Sequence, residues 1–185
     1  IDKYGLRGAD QELVQKKSDV SCKTLPRLEQ VPEKMDSCAV YFAGDGSMGV
    51  ACDTGVCVLT PMEVQMGGVS FDKQDLILHD SKTAMHRMDD LGISFGNCIF
   101  DTALAAYDLN PSQSDYPVSK LATNFLGITI DDEDAAACAE ALWNLKDILT
   151  AELDKNAMTD LYNTIELPLC QVLYRMEKRG ICIDR

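Results

Sequence analysis

Carboxylates are the side chains in this sequence best suited to chemistry. Asp131-Asp132-Glu133-Asp134 is an unbroken acidic run, Asp45 stands between two glycines, and Asp89 and Asp90 follow His86 by about one helical turn. Carboxylate oxygens hold hard divalent cations such as Mg²⁺ and Mn²⁺, and His86 with Asp89 or Asp90 is a candidate metal pair. Each group also has a structural reading. Asp45 suits a tight turn. The acidic run suits the start of a helix, where the dipole favours negative charge. The His86 pair has no third ligand nearby in sequence and reads as a helix surface.

Other chemistry is sparse. The cysteines are Cys22, Cys38, Cys52, Cys57, Cys98, Cys138, Cys170 and Cys182, with no C-x-x-C pair, and the two histidines, His79 and His86, are not near a cysteine cluster. A structural zinc site is not expected. Most of these cysteines sit beside aliphatic residues and read as small buried hydrophobes, reduced in a cytoplasmic setting. No phosphate-binding glycine motif precedes a helix; Gly44 to Gly49 lies between short strands and reads as a hairpin turn. Tyr107, Tyr116, Phe125 and Trp143 fall on apolar helical faces and are expected in the core rather than on a base-stacking platform.

The elements that must position these residues change character along the chain. Residues 10–17 and 25–35 are expected to form short helices after a lightly packed start. Ala39-Val40-Tyr41-Phe42, Gly49-Val50-Ala51-Cys52 and Val56-Cys57-Val58-Leu59 are short strand runs separated by Gly-Asp turns, which predicts an antiparallel meander. Leu76-Ile77-Leu78 and Cys98-Ile99-Phe100 are further strands. A helix is predicted over 81–90, ended by Gly92. A second is capped by Asp101 and stopped at Asn110-Pro111. A third opens at Asp115 and Pro117, with the proline in its first turn, and ends at Gly127. A long helix is predicted over 132–153 from Cys138, Leu142, Leu145, Leu149 and Leu153. A last one spans 158–178, where Pro168 should kink it or begin a new helix. Strands first, then strands alternating with helices, suit an α/β mixed sheet flanked by α-helices.

At 185 residues the chain suits one domain, or one domain with an appended element. No apolar run reaches membrane-spanning length, and the N-terminus lacks the pattern of a signal peptide. The start at Ile1 and the stop at Ile183-Asp184-Arg185 lead us to expect a piece of a longer protein. With 17 basic and 30 acidic residues, the net charge of −13 opposes tight autonomous binding to nucleic acid. It does not exclude a nuclease, because metal-dependent nuclease sites are themselves acidic.

Three segments carry a more specific likeness. Leu78-His79-Asp80-Ser81-Lys82-Thr83-Ala84, Leu91-Gly92-Ile93, and Phe100-Asp101-Thr102-Ala103-Leu104-Ala105-Ala106-Tyr107 with Leu109-Asn110-Pro111 together resemble the 3′–5′ exonuclease domain of family A DNA polymerases, bacterial DNA polymerase I among them. Ile165-Glu166-Leu167-Pro168-Leu169, Leu173, Met176-Glu177, Gly180-Ile181 and Ile183-Asp184 resemble the first helix beyond that domain. The likeness implies a ribonuclease H-like fold. It divides the chain into an unassigned segment 1–37, an exonuclease-like domain 38–157, and a helix 158–185 leading into a polymerase domain.

In active relatives four carboxylates hold two Mg²⁺ or Mn²⁺ ions that activate water and stabilise the leaving oxygen. Laying Val40-Tyr41-Phe42 on the first strand puts Ala43 at the first aspartate and Asp45 at the neighbouring glutamate. Ala84, two residues after Lys82, replaces another aspartate, and Asp80 replaces an asparagine. Counting back from Trp143 puts Asp131 at the last aspartate and Gly127 at a tyrosine that would orient water; Asp132 or Asp134 would take the place of Asp131 with a slip of one or three residues. On this reading Asp45 and Asp131 are remnants of a metal site, no cofactor is expected in this chain, and the domain is a structural module of a replication and repair enzyme. The alternative is an active metal-dependent proofreading exonuclease with a rearranged site. The expected partners are the polymerase domain of the same parent and, through it, DNA, with no membrane. Leu169, Val172, Leu173 and Met176 form an apolar stripe expected to fold back on the domain or to mediate self-association.

Overall fold

The computed structural model describes residues 36–182. The helices expected at 10–17 and 25–35 fall outside the described residues, as do Cys22 and residues 183–185.

The meander forms as expected. In β1 (Ser37–Phe42), β2 (Met48–Cys52) and β3 (Gly55–Leu59), Val40 pairs with Val50 and Val56 with Ala51, all antiparallel. Every residue of β2 is buried, so this strand is covered on both faces. A short helix that the sequence reading did not find follows, α1 (Pro61–Met66). Its Glu63 carboxylate accepts the Thr60 amide at 2.9 Å while the Thr60 hydroxyl accepts the Glu63 amide at 3.4 Å, a reciprocal cap.

Next come β4 (Ser70–Phe71), β5 (Asp75–Leu78), α2 (Ser81–Asp90), β6 (Ser94–Phe95), β7 (Cys98–Asp101) and α3 (Thr102–Leu109). β5 and β7 add to β1 in parallel, giving the order β3-β2-β1-β5-β7 with β1 at the centre. β4 and β6 form a separate parallel pair. This is the mixed sheet flanked by helices that the alternation of elements predicts.

Two helix starts differ from expectation. α4 (Val118–Leu121) begins after Pro117, which is extended at φ −61° and ψ 150° and so occupies the cap position, not the first turn. Asp115 lies outside the helix and meets Lys120 at 3.3 Å. α4 runs into a π turn (Ala122–Leu126) that ends at Gly127 with φ +70°. α5 (Ala135–Lys155) begins three residues later than predicted, because the Asp134 carboxylate accepts the Ala136 and Ala137 amides and sets the cap there. Cys138, Leu142, Leu145, Leu149 and Leu153 are buried as expected, and α5 packs across β1 and β2. The crossing is close at Gly49. A Cβ there would stand 1.9 Å from the Ala135 carbonyl oxygen, so only glycine fits.

The C-terminal helix comes in pieces: α6 (Thr159–Leu161), a π turn (Tyr162–Glu166) and α7 (Leu167–Arg179). Pro168 sits in the first turn of α7, where its missing N–H costs little. The Leu167 amide reaches back five residues to the Tyr162 carbonyl, so Pro168 begins a helix instead of breaking one. α7 folds back on α2. Glu177 accepts from Lys82 at 2.8 Å and meets His86 at 2.9 Å, Lys178 pairs with Asp89 at 2.6 Å, and the Tyr174 hydroxyl donates to Asp89. Tyr162, Leu167 and Tyr174 are buried, whereas Leu169, Val172, Leu173 and Met176 face outward.

The aromatic expectation fails at Tyr107, which is 48% exposed and meets Tyr116 edge-on at the surface. Tyr116, Phe125 and Trp143 are half-buried against the core. Cys38, Cys52, Cys57, Cys98 and Cys138 are buried free thiols, while Cys170 is half-buried and Cys182 exposed. Among the described residues no helix is long and apolar enough to cross a membrane.

Candidate functional site

The end of β1 is where the segments singled out from the sequence meet. Ala43 directly follows β1 and is fully buried. Its amide donates to the Ser47 carbonyl at 3.0 Å, and its own carbonyl accepts the Gly46 amide at 3.2 Å, closing the turn to β2. The turn is completed by Asp45, whose Oδ1 accepts the Ser47 amide at 2.8 Å and the Ser47 hydroxyl at 2.6 Å. These bonds hold the Asp45 carboxyl below the usual carboxylate range, with help from the charge on Arg87. Asp45 is therefore a turn residue whose Oδ1 already accepts two hydrogen bonds.

α2 supplies the opposite wall. Its N-terminus is fixed by two aspartates. Asp80, in a left-handed conformation at φ 49°, accepts from Thr83, and Asp101 accepts the Ser81 amide at 2.6 Å. Ala84 lies one turn along and is buried, lining a cleft of about 70 Å³ with Tyr41, Phe42, His79 and Arg87. Three residues beyond Ala84, on the same helical side, Arg87 turns its guanidinium to the end of β1. Nη2 donates to the Ala43 carbonyl at 2.9 Å and Nη1 reaches the Phe42 carbonyl at 3.5 Å. The guanidinium carbon lies 5.0 Å from the centre of the Phe42 ring, in cation–π range. Arg87 also borders a second cavity, of about 260 Å³, with Asp45 and Asp90.

The acidic run before α5 reaches the same place, and each of its members is engaged. Asp131 is exposed and accepts the Glu133 amide at 3.0 Å. Asp132 accepts the Ser119 amide at 2.9 Å and hydroxyl at 2.6 Å, while its carbonyl accepts the Tyr41 hydroxyl at 3.0 Å. Glu133 accepts the Gly44 amide at 3.1 Å. Asp134 caps α5. Gly127 has open space around it but a left-handed backbone, which a tyrosine would adopt only with strain.

His86 does not pair with Asp89 or Asp90. It meets Glu177 and lies edge-on to Tyr174 at 5.0 Å, so His86 and Asp89 belong to the joint between α2 and α7, while Asp90 lines the larger cavity.

Sequence reasoning missed three cleft residues. Tyr41 reaches across to the acidic run. His79 contacts Thr102 Oγ1 at 2.9 Å through Nδ1. Burial lowers its pKa, against the pull of Asp101, Asp80 and Asp132. Arg87 is the third, and its helical spacing from Ala84 was the available signal. The donor set that the resemblance assigns is short of ligands for two divalent cations. Two of the four positions that the resemblance assigns to carboxylates carry methyl groups, a third has its carboxylate oxygen in a turn, and a fixed positive charge reaches the first position.

No protein-family model matches the chain. It is 29% identical over 176 residues to DNA polymerase I of Mycobacterium leprae, a match that takes in 83% of this chain and 19% of the relative. The chain thus spans about a fifth of the length of such relatives. Among solved structures, the polymerase domain of Pol1 from M. smegmatis, in complex with DNA primer-template and dNTP, superposes with a TM-score of 0.65 at 25% identity, over 82% of this chain and 30% of that one. NrnC of Brucella melitensis bound to pGG superposes with a TM-score of 0.60 at 16% identity, over 88% of this chain and 95% of that one. The same protein is also known with bound Mg²⁺. The fold is therefore ribonuclease H-like, and the chain is similar in sequence to part of bacterial DNA polymerase I.

Proposed function

We propose that this chain, a relative of bacterial DNA polymerase I, is the 3′–5′ exonuclease-like domain of such a polymerase and that it does not cleave DNA. The domain begins at residue 38, and residues 158–185, whose Tyr162, Leu167 and Tyr174 pack into its core, lead on to the polymerase domain. Its role is structural: it supports a polymerase that acts in cytoplasmic DNA replication and repair, and DNA is bound through that parent enzyme. The observation that supports this reading is the chemistry at Ala43 and Ala84. A methyl group cannot ligate a cation, and two-metal hydrolysis depends on carboxylates placed within coordination distance of both ions.

The outward stripe of α7 supports the second half of the reading. Leu169, Val172, Leu173 and Met176 are 38–62% exposed on one side of a helix whose other side is buried. A following domain of the same chain would cover them, with burial stabilising by roughly 25 cal/mol per Å² of apolar surface.

The test is release of single nucleotides from a 3′-labelled DNA strand with Mg²⁺ or Mn²⁺. No release above a metal-free control is expected. Release that disappears in the Asp45→Ala or Asp131→Ala variant would show an active nuclease with a rearranged site and would overturn the proposal.

A further inference from the structure

We propose that the Arg87 guanidinium replaces a divalent cation as the fixed positive charge at the end of β1, and that it would keep such a cation out even if the missing carboxylates were restored. The inference rests on the reading of Ala43 and Ala84 as former metal-ligand positions.

The geometry carries it. A metal site at this place would need oxygen donors converging from β1 and α2. What converges is a single cation with two carbonyl oxygens: Nη2 at 2.9 Å from Ala43 and Nη1 at 3.5 Å from Phe42. Arg87 is half-buried, its charge is stacked on the Phe42 ring, and it borders both cavities beside the site. It also acts on Asp45, the one carboxylate left in the β1 turn. Two like charges a few ångströms apart in a partly buried site repel strongly. An aspartate placed at 84, one turn before Arg87 on the same helix side, would pair with the guanidinium before it met a metal. Arg87 is thus a positioning residue that ties α2 to β1.

The experiment compares Mn²⁺ binding, followed by the electron paramagnetic resonance signal of free Mn²⁺, in five proteins. These are the natural chain, Arg87→Met, the double variant Ala43→Asp with Ala84→Asp, and the double variant combined with Arg87→Met or with Arg87→Gln. Thermal melting of each with and without Mn²⁺ reports folding independently. The double variant is expected to bind Mn²⁺ no better than the natural chain. Adding Arg87→Met or Arg87→Gln should tighten binding at least about tenfold and make melting Mn²⁺-dependent. Arg87→Met alone should melt earlier than the natural chain and bind no Mn²⁺. Equal Mn²⁺ affinity with and without Arg87 would overturn the inference. The Arg87→Gln form decides if the Arg87→Met form does not fold. Tight binding at this cleft by the natural chain would instead refute the reading of Ala43 and Ala84 on which the inference stands.

Discussion

The Asp101 carboxylate accepts the Ser81 backbone amide at 2.6 Å, and through that bond one buried side chain fixes the starts of two helices. Asp101 also accepts the Asp80 amide at 3.1 Å at the head of α2, and the Ala103 and Leu104 amides at 3.0 and 3.2 Å at the head of α3. Its own backbone is held by the Tyr162 hydroxyl, which accepts from its amide at 2.7 Å and donates to its carbonyl at 3.0 Å. The orientation of α2, and with it the positions of Ala84 and Arg87, depends on this residue.

Asp101→Ala is therefore expected to destabilise the fold by about 3 kcal/mol or more, since it leaves several helix-terminal amides without acceptors. Asp101→Asn should cost less, because one oxygen remains. Urea unfolding of the three proteins checks the order. Equal midpoints would remove Asp101 from its organising role.

Asp108 on α3 predicts a pH dependence. Burial, reinforced by the nearby Glu166 charge, raises its pKa from 3.8 to about 6. Its Oδ2 meets no donor among the described residues. The folded chain thus binds this proton more tightly than the unfolded chain. The stability it contributes is complete below the unfolded value and is lost as the pH rises through about 6. Asp108→Asn should raise stability at pH 7.5 by about 2 kcal/mol and have little effect near pH 4. Denaturant midpoints of both proteins across that range check the sign; a loss of stability at pH 7.5 would contradict it.

The sequence reading sets 158–185 apart from the domain, and the packing of α7 predicts otherwise. Leu167 and Tyr174 belong to the core, and Tyr174 is wedged between His86 and Phe95 with ring centres at 5.0 and 5.9 Å. Tyr174→Ala should cost about 3 kcal/mol, and removal of residues 166–185 should cost more. Thermal melting checks both. An unchanged melting temperature after truncation would restore the view of a separable helix.

The outward stripe gives a separate outcome. Val172→Glu with Met176→Glu changes residues that are 48% and 62% exposed, so the fold should be retained. Any dimer detected by light scattering should decrease, because the apolar patch that favours association is gone. A dimer unaffected by these charges would place the contact elsewhere.

Much of this fold was legible in the sequence because its elements carry local signals. The Val-rich runs around Val40, Val50 and Val56 gave the meander, Asp101 announced α3, and the leucine spacing from Cys138 to Leu153 gave the body of α5. What local signals missed depends on distance in the chain. Asp132 and Glu133 looked like a first helical turn, but Ser119 and Gly44, far away in sequence, claim their carboxylates. Periodicity showed that Leu169 to Met176 form a stripe but could not say that the stripe faces outward while Tyr174 faces in. The cap formed by Thr60 and Glu63 was written in the sequence and passed over. At the candidate site the sequence pointed to Ala43 and Ala84, whereas the link from Arg87 to Ala43 spans 44 positions and appears only in three dimensions.

The measurement that bears most directly on the proposed loss of metal chemistry is anomalous scattering from crystals of this chain soaked in Mn²⁺. The account predicts no manganese peak within coordination distance of Asp45, Ala43 or Ala84, with the Arg87 guanidinium still on the Ala43 carbonyl. A manganese peak in the cleft between β1 and α2, ligated by Asp45 or by a carboxylate of the 131–134 run, would contradict it.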